Sequence, residues 1–175
     1  MTSYTIDPVH SVADFKVRHM MITNVRGEFS GVSGTVVVDH ENPANSKVEA
    51  KIDVNTIQTR DPQRDTHLKS ADFLDAEKFP TITFVSRTVA KNGADDYAVT
   101  GDLTIHGVTK EVVLDVEEVT PEAKDPWGNV KAGAAAKTKI NRKDFGLVWN
   151  ATLETGGVLV GEDVQIHLDL QLLKQ

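Results

Sequence analysis

The amino-acid sequence predicts an all-β fold, an eight-stranded antiparallel barrel that carries one short helical insert at about residues 61–76. Three observations lead to this prediction. About eight stretches alternate apolar and polar residues with the period of two that gives a strand one buried face. Turns of hairpin length join almost all of them, and glycines interrupt some where a closing sheet has to bend. Closure into a barrel removes exposed strand edges, which favours the barrel. A β-sandwich needs the same one-sided pattern of apolar residues and is kept as the alternative.

Four strands are predicted in the first third of the chain. Residues 4–7 form a short strand stopped by Pro8, and residues 13–17 alternate cleanly. A long strand over 25–39 contains three glycines, which indicates strong curvature. Residues 48–54 alternate again after a turn rich in polar residues.

The helical insert is predicted from capping signals. Asp61 can accept hydrogen bonds from the free amides of a first turn, and Pro62 follows at a position where a missing N–H costs nothing. A helix of about two turns should result, and Ser70 or Asp72 can cap a second short helix through Phe73. The insert therefore resembles a lid over one end of the barrel.

The remaining strands are predicted after the insert. Asn92-Gly93 and His106-Gly107 are hairpin turn signals that link the first three into a meander. A helical turn ending at Gly146 and a loop over 147–161 precede the last strand, whose alternation runs over nine residues without error. The expected bounds are 81–91, 97–105, 108–119, 131–141 and 164–172.

Composition excludes several classes of protein. The formal net charge of -7, from 26 acidic and 19 basic residues, argues against a nucleic-acid partner. The chain has no cysteine, so disulfides and thiolate chemistry are excluded. No apolar run approaches the roughly 18 residues of a membrane span, and the start shows no leader-like segment, so a cytoplasmic location is expected. One domain over 1–175 is expected; the oligomeric state stays open, with a dimer possible.

Four blocks of the sequence resemble the YceI-like, polyisoprenoid-binding family. They read IDPVHS at 6–11, RDTHLKSADF at 64–73, GDLTIHGVTK at 101–110 and INRKDFG at 140–146, and they occur in order with comparable spacing. The resemblance implies a lipocalin-like barrel whose apolar interior holds a long isoprenoid or a similar amphiphilic lipid. It identifies no catalytic centre, and no cofactor is expected. Many relatives look exported, whereas this chain begins without such a leader.

Strand parity supplies the candidate lipid-binding residues. A barrel that binds a long apolar ligand needs inward side chains that line a cavity, and an end where a polar head can rest. The alternative is that this stripe simply packs as core. Arg64 and His67, on one face of the helix, are the head-group candidates. The predicted lining residues, with Met20, Met21, Phe73 and Phe79 as gates at the ends, are Phe15, Val17, Met20, Met21, Ile52, Phe73, Phe79, Ile82, Phe84, Leu103, Ile105, Leu114, Leu168 and Leu170.

Two other functions are kept as alternatives. A lipid hydrolase or isomerase could use His67 with Asp65 or Asp61, although the chain has no nucleophile elbow and no catalytic function is expected. A stress-related barrel scaffold without a ligand would instead have a packed interior. Six histidines raise a metal hypothesis, but none of their spacings matches a ligand motif, so no metal site is predicted.

Overall fold

Twelve β-strands and one α-helix make up the fold. The computed structural model describes all residues, Met1–Gln175. Short 3-10 turns lie at Pro43–Asn45, Val54–Thr56 and Arg142–Phe145. No helix has the length and apolarity needed to cross a membrane. The elements are β1 (Thr2–Ile6), β2 (Val12–His19), β3 (Thr23–Phe29), β4 (Val32–Val38), β5 (Lys47–Asp53), β6 (Ile57–Gln58), α1 (Pro62–Lys69), β7 (Thr81–Lys91), β8 (Tyr97–Ile105), β9 (Val108–Glu117), β10 (Ala123–Lys124), β11 (Val130–Asn141) and β12 (Val160–Lys174).

The twelve strands occupy eight positions around a closed antiparallel barrel. β1 continues into β2, β3 is followed by β4, and β5 leads to β6, so that each pair fills one position. β9 and β10 share a fourth position beside β11, and β7, β8, β11 and β12 fill the other four. β12 pairs with β11 on one side and with β1 and β2 on the other, which closes the sheet. The predicted eight-stranded barrel is confirmed, and the β-sandwich alternative is wrong.

The prediction of one strand over 25–39 is wrong, because the chain breaks between β3 and β4. At the break the Gly31 amide donates to Oγ1 of Thr56 at 3.1 Å, and the Gly31 carbonyl accepts from the Asp53 amide at 2.9 Å. The break between β3 and β4 is therefore hydrogen-bonded to the turn between β5 and β6. Just beyond it, Gly34 has φ 151°, and a side chain there would collide with the carbonyl of Glu49. Curvature in this region comes from these local departures from the sheet ladder.

The helical insert is shorter than predicted. Oδ1 of Asp61 accepts from the amides of Gln63 at 3.0 Å and Arg64 at 3.3 Å, so the predicted cap is confirmed. The second helix does not form, because the chain folds back on the end of α1. There the Leu74 amide donates to the carbonyl of Leu68 at 3.0 Å. Residues 71–74 are turns, and this fold-back buries Leu74 together with its neighbour Phe73.

The C-terminal third of the chain follows the prediction closely. The turn Arg142–Phe145 ends at Gly146, whose φ of 76° is the left-handed conformation that glycine adopts without a steric penalty. β12 is longer than the predicted 164–172 and pairs with β11 from Lys131 to Asn141. These two strands form one wall of the barrel.

Candidate functional site

The barrel encloses a cavity of about 1090 Å³. Forty of its 60 lining residues are hydrophobic, which suits an aliphatic ligand better than a polar one. The cavity extends along the barrel from Thr2 and Lys174 at one end to Arg64 and Trp149 at the other. We call the second of these the α1 end. Eight strands give a barrel interior wide enough for one small ligand or for packed side chains, and here the interior is partly open.

The inward face of β12 shows that the interior is not filled. Val164, Ile166, Leu168 and Leu170 all line the cavity and alternate with exposed or half-exposed polar residues. In a packed core such side chains are buried, yet each of these four is only partly buried. The surface that they leave uncovered faces the cavity. Apolar surface exposed inside a barrel is available to a ligand.

Eleven of the predicted lining residues lie on the cavity wall. Phe73 reaches it from the fold-back after α1, and the others reach it from the strands. Ile82, Phe84, Leu103 and Ile105 are buried and belong to the hydrophobic core of the barrel. The eleven are Phe15, Val17, Ile52, Phe73, Ile82, Phe84, Leu103, Ile105, Leu114, Leu168 and Leu170.

Three predicted gate residues do not line the cavity. Met20 and Met21 form the turn between β2 and β3 with φ of 52° and 60°, and they are 40% and 60% exposed. A turn forms at this position, but its side chains lie in solvent instead of against the end of the barrel interior. Phe79 packs edge to face on His106, with ring centroids 4.9 Å apart, and also lies off the wall.

The two predicted head-group residues both line the α1 end. Nε of Arg64 donates to Oγ1 of Thr59 at 2.8 Å, and its Nη2 donates to the Thr59 carbonyl at 2.8 Å. Nε2 of His67 lies 2.9 Å from Oδ2 of Asp72. Arg64 therefore ties the helix to the end of β6 with part of its guanidinium. Its Nη1 makes no protein hydrogen bond and remains available to a ligand.

The catalytic pairing considered from the sequence does not form. Oδ1 of Asp65 accepts from the amide of Thr59 at 2.9 Å and from its hydroxyl at 2.5 Å. Asp61 is occupied as the helix cap. His67 is paired with Asp72 instead, a partner that sequence spacing did not single out. No group of three or more His, Asp or Glu side chains lies close enough to share a metal ion.

Sequence reasoning missed Arg142, which anchors the loop over the α1 end. It is 3% exposed, and burial lowers the pKa of its guanidinium. Its side chain donates to the carbonyls of Gly161, Leu147, Trp149 and Val160 at 2.7, 2.5, 2.9 and 3.2 Å. The Arg142 side chain thus holds both ends of the 147–161 loop together by hydrogen bonds. The only signal in the sequence was its position inside the INRKDFG block.

Trp149 was also missed, and it closes the cavity against α1. Its ring packs on His67 at a centroid distance of 4.8 Å and on Phe73 at 5.2 Å. His67 and Phe73 are themselves 5.0 Å apart, so the three rings form one aromatic cluster. The cluster joins the helical insert to the loop held by Arg142.

The opposite end of the cavity is closed by a polar network. The hydroxyl of Tyr4, which is 4% exposed, donates to Oε1 of Glu122 at 2.7 Å. Lys174 donates to the other carboxylate oxygen at 2.9 Å. Burial, with Glu122 beside it, raises the pKa of Tyr4 to about 12. Tyr4 is therefore a neutral hydrogen-bond donor at this end, and the carboxylate of Glu122 accepts from both Tyr4 and Lys174.

Comparison with known proteins identifies the family. The model of the YceI-like domain matches residues 4–172. The chain belongs to the YceI-like family. It is 41% identical over 138 residues to protein YceI of Escherichia coli, a match that covers 79% of this chain and 71% of that protein.

Solved structures share the fold. The crystal structure of BcnA from Burkholderia cenocepacia has a TM-score of 0.79 at 26% identity and covers 95% of this chain and 98% of that one. A polyisoprenoid binding domain from Saccharophagus degradans has a TM-score of 0.71 over the whole of both chains. Its identity of 14% shows a shared fold alone.

Proposed function

We propose that this protein binds a long-chain isoprenoid, or a lipid of similar amphiphilic character, inside its barrel and sequesters or carries it. The observation that carries the proposal is the unfilled apolar cavity of about 1090 Å³, whose wall includes the half-buried inward face of β12. Burial of apolar ligand surface contributes about 25 cal/mol per Å². A ligand that covers this wall would gain affinity from burial alone, without a catalytic group.

The polar head of the ligand belongs at the α1 end in this proposal. The guanidinium groups of Arg64 and Arg142 and the imidazole of His67 line that end, with Asp61 as the acidic lining residue next to α1. Arg64 keeps its free Nη1 there. The opposite end carries Asp39 and the network of Tyr4, Glu122 and Lys174, in which the carboxylate and the ammonium group are already paired. A ligand with an anionic or strongly polar head is therefore favoured in one orientation.

The ligand-free scaffold is the weaker alternative, because a barrel without a ligand gains stability by filling its interior. The hydrolase or isomerase alternative is weaker still, since Asp61 and Asp65 are both engaged away from His67.

Native mass spectrometry and saturable uptake of a prenyl diphosphate test the proposal. Leu168→Gln places a polar group on the wall and should weaken uptake, whereas Val113→Gln changes a residue that is 45% exposed outside the cavity and should not. We expect about tenfold weaker binding for the first variant, since it replaces buried apolar surface with an unpaired amide. No saturable uptake by the unmodified protein would overturn the proposal.

A further inference from the structure

The hairpin of β2 and β3 exposes an apolar tip. Met20, Met21 and Ile22 form the turn and are 40%, 60% and 67% exposed. Three consecutive large apolar side chains in water are unusual, and other turns of the chain expose such residues only singly, as at Val9 and Trp127. Their exposed surface contributes nothing to the stability of the barrel. A feature of this kind is typical of a surface that meets an apolar partner.

The outer face of the same hairpin is basic near its tip, whereas Asp14 and Glu28 lie opposite each other further from it. Lys16 lies directly opposite Arg26 in the register of the two strands, and Arg18 lies one outward position nearer the tip. None of the three has an acidic partner within 4.0 Å. Like charges directly opposite destabilise a strand pair. A chain of net charge -7 thus keeps three unpaired cations on one hairpin.

The tip adjoins the cavity at the α1 end. The Met20 amide donates to the carbonyl of Leu159 at 2.8 Å, and Leu159 itself lines the cavity. The sulfur of Met21 occupies the space where a side chain at Gly157 would lie, next to Val158, which is 39% exposed. The hairpin and the 147–161 loop therefore form one edge of the α1 end, with exposed apolar side chains on both.

We infer that this edge docks on an anionic lipid surface, with the Met20–Ile22 tip and Val158 inserted and the three cations of the hairpin against lipid head groups. We call it the hairpin rim. The inference rests on the proposed function, because a lipid that enters the α1 end has to leave a membrane beside it. Apolar side chains flanked by Arg and Lys match the two attractions that hold a peripheral segment at a bilayer, burial and charge. An acidic protein partner would pair with the three cations but would not bury the apolar tip.

Flotation of the whole protein with vesicles tests the inference. Vesicles of equal parts phosphatidylglycerol and phosphatidylcholine should bind it, and pure phosphatidylcholine should bind it more weakly. Ile22→Glu should reduce binding about tenfold or more, since burial of an isoleucine side chain is lost. Arg26→Glu should reduce it at least about fivefold, since each cation near an anionic surface contributes about 1 kcal/mol. Val85→Glu, at a residue 47% exposed on the barrel wall, is the control and should bind normally.

Uptake of a prenyl diphosphate offered without vesicles separates this inference from the proposed function. Ile22→Glu should leave that uptake unchanged while it weakens binding to vesicles about tenfold or more. The inference is overturned if the unmodified protein does not float with anionic vesicles, or if Ile22→Glu floats normally. It is also overturned if Ile22→Glu converts a dimer to a monomer in sedimentation, because the tip would then meet a second copy. Failure of vesicle-free uptake would instead overturn the proposed function.

Discussion

The imidazole of His67 and the indole of Trp149 meet edge to face, with ring centroids 4.8 Å apart, across the α1 end of the barrel. One ring belongs to the helical insert and the other to a loop more than 70 residues further along the chain. The contact makes the closure of the cavity depend on two separately anchored segments. Thr59 anchors the first through Arg64 and Asp65, and Arg142 anchors the second.

Thr59→Val tests the anchor of the insert. The side chain of Thr59 is 3% exposed and keeps its shape in valine, but the hydroxyl that serves Arg64 and Asp65 is lost. We expect the free energy of unfolding to fall by about 2 kcal/mol, because two charged groups lose a hydrogen-bond partner. Chemical denaturation measures this loss. Thr66→Val removes an exposed hydroxyl on the same helix and should change stability little; an equal effect of both variants would contradict the anchor.

Looser closure should also speed ligand release from the Thr59→Val protein. The rate at which a bound prenyl compound transfers to excess vesicles should rise. The amount of ligand that the variant binds at saturation should equal that of the unmodified protein. A release rate equal to that of the unmodified protein would show that the insert does not limit exit.

Arg142→Met tests the anchor of the 147–161 loop. The substitution keeps an apolar stem of similar length but removes the donors to four carbonyls. Buried carbonyls left without donors should lower the free energy of unfolding by about 3 kcal/mol. Amide hydrogen exchange should rise in the loop before it rises in β11. Lys143→Met is the neighbouring control, since that side chain is half exposed and only pairs with Glu162. Unchanged exchange in the Arg142 variant would contradict the anchoring role.

The acid stability of the protein should depend on Asp7. Its pKa is lowered from 3.8 to about 2, first by the hydrogen bond from His10 and further by those from Val9 and Gln171. A carboxyl whose pKa is lower in the folded state stabilises the fold above its unfolded pKa of about 3.8 and loses that contribution as the pH falls toward 2.

Asp7→Asn should therefore lower the free energy of unfolding at pH 7 by about 1 kcal/mol, a value reduced by solvent screening. Between about pH 4 and about pH 2, the free energy of unfolding should fall less in this variant than in the unmodified protein. Denaturation series across this range measure both effects. Asp163→Asn, at a side chain 64% exposed, should leave the profile unchanged. An Asp7 variant as acid-sensitive as the unmodified protein would refute the assignment.

The sequence predicts those parts of the fold that local patterns determine. β12 is predicted because its alternation is unbroken, and the α1 cap because Asp61 and Pro62 act on their own neighbours. The break at Gly31 depends on Thr56, which lies 25 positions away, and no local pattern shows it. The direction of Met20 and Met21 depends on two left-handed backbone conformations that non-glycine residues seldom adopt.

The wall of the cavity was predictable from strand parity, but its closure was not. Arg142 sits in a polar turn and Trp149 in a loop without periodicity, so neither carries a pattern that marks it as buried or closing. Their roles come from carbonyls and rings that only the folded chain brings together. The same holds for His67, whose partner is Asp72 rather than Asp65 or Asp61.

Binding isotherms of two adjacent alanine variants test the central claim, that a lipid occupies the barrel interior. Ala134 lines the cavity, whereas Ala135 lies next to it on β11 and is not part of the cavity wall. Ala134→Trp should keep the fold, because the indole enters empty space, and should weaken binding of a prenyl diphosphate about tenfold or more, since overlap with the ligand costs of order 1–3 kcal/mol. Ala135→Trp should bind as the unmodified protein does. Equal affinity of the two variants, both folded, would contradict a ligand inside the barrel.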